Sequence, residues 1–301
     1  MSEDALWPRA SHWLAAGTEA AISKTALAVV GVPAHLTSIS PTGANATPDA
    51  VRAALARYST WSTAHQLDVA DLSIRDFGNV ADPDSPAGEK RTSALVSQAA
   101  TSADLTLVLG GDNSVTFAAM RGACPDLSRA GLITLDAHHD LRDGISNGSP
   151  VRRLVEAGLP GTQVAQLGIA DFSNSPAYAA RAKDLGINVI SRSALRGVDL
   201  ARVWANAVAG LGDVDVIYVD IDVDVCDRSV VPGCPAAAPG GLSADELRQI
   251  AFLAGTTPRV RAIDFTEVDA TNDAADQRTV RLVALLMLEA AAGLAAREVR
   301  N

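Results

Sequence analysis

The stretch Ile217-Tyr218-Val219-Asp220-Ile221-Asp222-Val223-Asp224-Val225 constrains this chain more than any other. Its Val, Ile and Tyr content reads as a β-strand, and alternation along a strand sends Asp220, Asp222 and Asp224 to one side. Three carboxylates on one buried face repel each other and lose hydration unless a cation lies among them. A second stretch repeats the pattern. Gly131–Leu135 is an apolar run ending in Asp136-Ala137-His138-His139-Asp140. An extended continuation puts Asp136, His138 and Asp140 on one face and turns His139 away from it. Two strand ends offering oxygen donors and one imidazole, with no thiolate, suit manganese ahead of magnesium, iron or cobalt.

Apolar runs predict strands at 25–31, 74–78, 104–109, 131–135, 163–169, 188–190, 214–225 and 259–263. Helical patterns between them fall at 48–58, 90–102, 115–123, 151–157, 175–185 and 200–211, then from 244 and over 278–297. Pro48-Asp49 suits a first helical turn, and Ser243 with Glu246 fits a capping box. Strands alternating with helices imply an α/β fold, a parallel sheet covered on both faces. Ligands in such sheets bind beyond the carboxyl ends of the strands, where every polar motif of this chain falls. With no internal repeat and no linker, residues 1–301 read as one domain. The long loop 32–47 is of functional length. The turn Gly110-Gly111-Asp112-Asn113-Ser114 follows a strand and opens a helix, yet its spacing fits neither the dinucleotide fingerprint nor the P-loop.

A net charge of −10 argues against nucleic acid and anionic membranes as partners, because phosphate binders carry a basic patch. Cys124, Cys226 and Cys234 are too few and too irregular for a disulfide framework or a zinc cluster, and read as reduced thiols of a cytoplasmic protein. Met1–Asp4 is acidic and shows no apolar run of signal type, and no stretch reads as long and uncharged enough to span a membrane.

Together these motifs resemble the ureohydrolase superfamily of arginases, agmatinases and formiminoglutamases. The likeness runs through Gly110–Ser114, Asp136–Asp140, Asp222-Val223-Asp224 with Asp227, Pro232-Gly233, Pro239–Leu242 and Glu267-Val268-Asp269. It implies a three-layer sandwich around a central eight-stranded parallel sheet, two manganese ions per subunit, and a homo-oligomer, trimer or hexamer. Carried over by position, Asp136 and Asp222 bridge the metals, His138 and Asp224 complete one, and Asp140 with Asn113 the other. Asn113 stands where the superfamily has histidine, and an amide oxygen is the poorer donor, so it either ligates or only holds the helix turn. Asn147 likewise replaces a histidine usable in proton transfer.

Within the superfamily the resemblance is to formiminoglutamase. Asp140-Leu141-Arg142, Ser146-Asn147-Gly148-Ser149-Pro150 and Phe172–Ser175 followed by Tyr178 are similar to segments of those enzymes. This places Arg142, Asn147, Ser149 and Asn174 on the substrate side, with Arg152 and Arg153 as further candidates. Formiminoglutamate carries two carboxylates, which an arginine grips through paired charge-assisted hydrogen bonds. The resemblance implies hydrolysis by a metal-activated water, with Glu267 orienting the amidinium and Asp140 passing a proton to the departing amine. An agmatinase or guanidino-acid hydrolase releasing urea, and a metal-poor non-catalytic relative, are the alternatives.

Overall fold

A computed structural model of the chain describes residues 4, 6–17 and 24–298. The expectation that no signal-type run opens the chain falls, for Met1–Glu3, outside them. Among the described residues the strands are β1 (Thr25–Val32), β2 (Trp61–Ser62), β3 (Leu67–Asp68), β4 (Ile74–Asn79), β5 (Ala103–Gly110), β6 (Ala130–Leu135), β7 (Val164–Ile169), β8 (Asn188–Ser191), β9 (Val216–Asp222) and β10 (Val260–Thr266). The helices are α1 (Ala10–Ala16), α2 (Thr47–Ala54), α3 (Pro86–Ser102), α4 (Val115–Ala123), α5 (Pro150–Glu156), α6 (Pro176–Asp184), α7 (Leu200–Gly210), α8 (Ala244–Thr256) and α9 (Arg278–Glu298).

Eight strands form one sheet in the order β4-β1-β5-β10-β9-β6-β7-β8, and every neighbouring pair is parallel. The strands read as near-continuous apolar runs because both sheet faces are covered. One face packs Leu27, Leu107 and Val219 against α1, α2, α7, α8 and α9. The other packs Val30, Leu132 and Tyr218 against α3, α4, α5 and α6. This is the expected three-layer α/β sandwich. The antiparallel pair β2–β3 lies outside it and was not predicted; two-residue strands leave no period to detect.

Helix boundaries follow local chemistry. α3 starts at Pro86, four residues before the predicted start, because Ser85 caps the Gly88 N–H and proline needs no donor partner in a first turn. At α8 the capping box is complete: the Ser243 side chain accepts from the Glu246 N–H while the Glu246 side chain accepts from the Ser243 N–H. Contrary to the membrane expectation, Arg278–Arg297 of α9 has the length and mean hydropathy, 1.7, of a spanning helix. It is 72% buried within the fold, which makes it a core helix.

Candidate metal centre and substrate cleft

The four middle strands of the sheet, β5, β10, β9 and β6, are the ones whose carboxyl ends carry the polar motifs. β5 leads into Gly110–Ser114, β10 into Glu267, β9 into Asp222–Asp224 and β6 into Asp136–Asp140. Four motifs far apart in the chain therefore meet at one edge of the sheet, where ligands of such folds bind.

Two local expectations are corrected. β9 ends at Asp222, and Val223–Val225 is a 3-10 turn in which the Asp222 side chain accepts the Asp224 N–H at 2.8 Å. Asp222 thus enters the cleft from the last position of the strand, and Asp224 by a turn and not by continued alternation. Asp220 stays one step down the strand, fully buried between Thr134 of β6 and Asp264 of β10. Burial, then the neighbouring Asp264, pushes its pKa well above its ordinary value, and it belongs to the interior of the sheet rather than to the cleft. Likewise β6 stops at Leu135, and Asp136–Asp140 is a turn held by the Asp136 carboxylate accepting the His138 N–H at 2.6 Å. Asp140 sits in the left-handed region at φ 54°, as Glu267 does at φ 64°. Non-glycine residues held there cluster at functional sites.

Asp136, His138 and Asp224 offer ligand atoms all within 4.8 Å of one another. His138 Nδ1 lies 2.7 Å from Asp224 Oδ2 and 3.6 Å from Asp136 Oδ1. Burial alone would lower the His138 pKa, but Asp224 and then Asp136 raise it to about 12. Burial, reinforced by Asp224, lifts Asp136 to about 7. Asp222 is pushed well up by burial and Asp224, and Asp140 by burial and Asp136. Such crowding of carboxyls favours a positive charge among them. Asp136 Oδ2 is buried without a hydrogen-bond partner among the described residues, an orphaned acceptor that a cation satisfies. Carboxylates with one imidazole are a donor set for a hard-to-borderline divalent ion.

A cavity of about 410 Å³ opens beside these groups, its wall including His138, Asp140, Asp222, Asp224, Arg142 and Glu267. Ile39 and Ser40 of the long first loop also enter the wall; the sequence marks the loop by length, without singling out these two. Glu267 has its Oε1 taken by the Asn113 N–H and by Asn147 Nδ2, each at 2.8 Å. Burial raises its pKa to about 7, with Asn147 opposing the rise.

Three amides and a serine are less free than the sequence suggests. Asn113 is buried, donating from Nδ2 to Asp140 at 2.6 Å, while its Oδ1 accepts from Thr116 and Thr266 at 2.9 Å. Its oxygen faces these two hydroxyls, neither of which the sequence singled out. Asn147 lines the cleft, yet its amide is spent on Glu267 and on the Ile39 N–H. Asn174 also lines it, but joins the His139 N–H and the Ala137 carbonyl. Ser149 is fully buried and bonds Ser146, so it takes no part in the wall. Of the arginines, Arg153 pairs with Glu89 at 2.8 Å and stacks on Phe117. Arg152 binds backbone carbonyls of the 142–144 segment. Arg142 alone of the three faces the cleft, and its guanidinium has no partner among the described residues. His139 turns from the cleft as expected, its ring 2.7 Å from Gln166.

The sheet order and the acidic cluster define an α/β protein with a group of side chains able to hold a metal ion at the carboxyl edge of a parallel sheet. The chain matches the arginase family over residues 25–293, and it belongs to that family. A formimidoylglutamase of Halalkalibacterium halodurans is 37% identical over 262 residues, 81% of this chain and 80% of that protein. The crystal structure of formimidoylglutamase from Bacillus subtilis superposes with a TM-score of 0.91 at 31% identity, covering 98% of this chain and 95% of that one. Formiminoglutamase of Trypanosoma cruzi with Mn2+ superposes with a TM-score of 0.85 at 25% identity, covering 97% and 99%.

Proposed function

We propose that this chain hydrolyses N-formimino-L-glutamate to L-glutamate and formamide with manganese as its metal. The observation that carries the substrate is Arg142, whose guanidinium, unpaired among the described residues, stands on the wall of a largely acidic cleft. A ligand that offers an amidinium to the acidic end and a carboxylate to Arg142 satisfies both. The relatives named above support the same reading.

Asp136, His138, Asp140, Asp222 and Asp224 would hold the metal. When bound, it supplies a water acidified towards neutral pH and electrostatic stabilisation of the tetrahedral intermediate. Asn113 is carried in this reading as a hydrogen-bond donor to Asp140 in place of a ligand. Glu267, with Oε1 fixed by two donors, turns Oε2 to the amidinium. Asp140, after taking a proton from the attacking water, hands it to the glutamate nitrogen as its bond to the formimino carbon breaks. Arg142 holds a carboxylate of the same glutamate moiety. The reading takes residues 1–301 as one catalytic domain of a cytoplasmic homo-oligomer that acts on a small molecule, not on nucleic acid or membrane.

The test is turnover of N-formimino-L-glutamate, agmatine, arginine and guanidinobutyrate by manganese-loaded protein, with metal content measured. Formamide and glutamate from the first substrate alone is the expected result. Urea from any of the others sinks the substrate assignment, and no turnover at substoichiometric metal favours a metal-poor relative in which Asn113 and Asn147 have ended the chemistry.

A further inference from the structure

Arg142 lies on an exposed segment, residues 142–145, that owes its shape to a few specific bonds. Two other arginines supply them. Arg181 of α6 donates from Nη1 to the Leu141 carbonyl at 2.6 Å and pairs with Asp143 at 2.8 Å. Arg152 of α5 donates from Nε to the Arg142 carbonyl at 2.6 Å and from Nη2 to the Gly144 carbonyl. The Arg142 N–H closes the segment on the Gly148 carbonyl at 3.0 Å. A Cβ added to Gly148 would lie 2.7 Å from Arg142 Cδ, so the Arg142 side chain runs directly along that glycine. Arg142 is thereby gripped through its own carbonyl and the one before it, and steered by the bare backbone at 148.

A guanidinium is planar and its donors form a rigid fork, so one side chain can hold two carbonyls at a fixed spacing, which lysine cannot do. These bonds are charge-assisted, and the Arg152 side chain is only 15% exposed. We propose that Arg152 and Arg181 are positioning residues for substrate selection. They touch no substrate; by holding the carbonyls of Leu141, Arg142 and Gly144 they set the direction in which Arg142 reaches into the cleft. This rests on the reading of Arg142 as the group that takes a substrate carboxylate.

The experiment is steady-state kinetics of the manganese-loaded protein on N-formimino-L-glutamate, with L-glutamate as a competing product that carries the carboxylates but no formimino group. The variants are Arg181→Met, Arg152→Met, Arg142→Ala, and each methionine variant combined with Arg142→Ala. Each methionine variant is expected to raise KM and the L-glutamate inhibition constant together by roughly tenfold, with kcat within about twofold. In the Arg142→Ala background the same substitutions are expected to change neither constant further. Lysine variants, which keep the charge and lose the fork, serve where a methionine variant does not fold, with the same pattern at smaller size. Unchanged constants in the single variants overturn the proposal, and so does an equal rise in the Arg142→Ala background, which marks a general loosening. If Arg142→Ala itself leaves both constants unchanged, the reading of Arg142 falls and takes this proposal with it.

Discussion

The Asp224 carboxylate divides its two oxygens between one side chain and one backbone amide: Oδ2 lies 2.7 Å from His138 Nδ1, and Oδ1 accepts the Ala137 N–H at 2.9 Å. Asp224, two positions beyond the end of β9, thus orients both the imidazole and the turn after β6. The His138 charge holds Asp224 below the usual carboxylate range against the opposing effect of burial.

Metal binding should therefore release protons. In the metal-free protein His138 is an imidazolium at neutral pH, held so by Asp224 and Asp136 against burial, whereas a ligating imidazole is neutral. Titration calorimetry with Mn2+ at pH 7, run in buffers of different ionisation enthalpy, is expected to show about one proton or more released per ion. A buffer-independent heat would contradict the assignment of His138 as a ligand.

Stability of the metal-free protein should fall as pH rises. Asp136 and Glu267 have folded pKa values of about 7, above their ordinary 3.8 and 4.5. Between those limits the unfolded chain has already lost the protons that the folded chain keeps, so unfolding gains with each step in pH. The contribution is whole below pH 4 and gone above about pH 7. Melting temperatures at pH 5, 6, 7 and 8 are expected to decline without metal and to flatten or reverse with Mn2+ present. A metal-free midpoint that climbs across this window would contradict the burial of these carboxyls.

Asp136→Ala removes the carboxylate closest to the His138 backbone N–H and one member of the metal-binding trio. Loss of outer partners of metal ligands costs 10–100-fold in affinity or activity, so loss of a ligand is expected to cost at least about 100-fold in kcat/KM. Metal analysis of the purified variant should show depletion in parallel; full metal content with full activity would place the centre elsewhere.

For Arg142→Ala the loss should fall on binding. A hydrogen bond to a charged group is worth about 1.5–3 kcal/mol, which converts to a KM increase of roughly 10–100-fold for N-formimino-L-glutamate. Any residual rate on agmatine, which has no carboxylate, should not change. Equal effects on both substrates would mean that Arg142 supports the fold and not selection.

Ser243→Ala breaks the capping box of α8, whose Ser243 and Glu246 line no part of the substrate cleft. The expected cost is about 1 kcal/mol, a fall of roughly 2–4 °C in melting temperature, with kcat and KM unchanged. Thermal denaturation of the manganese-loaded protein checks it.

Strand positions, both acidic motifs and the three-layer class are legible in the chain because apolar runs and strand-end polarity are local. Strand alternation stops holding where the backbone leaves its regular path. Asp224 is positioned by a 3-10 turn instead of by alternation, and Asp220, at the same period, is buried beside Asp264. No period in the sequence marks the residue at which a strand gives way to a turn.

The residue types at the ends of β5, β6, β9 and β10, and so the metal-binding character, were determined by the sequence alone. Only the tertiary structure decided that these four strands are neighbours, and which polar side chains remain available. Asn147 and Glu267 are 120 positions apart and still spend their polar atoms on each other. Asn174 and Ser149 are consumed in the same way, while the Arg142 side chain has no partner among the described residues. A side chain's type is local, but its unsatisfied hydrogen-bonding capacity depends on what distant crossovers bring against it, because buried polar groups pair with whatever donor or acceptor the fold delivers.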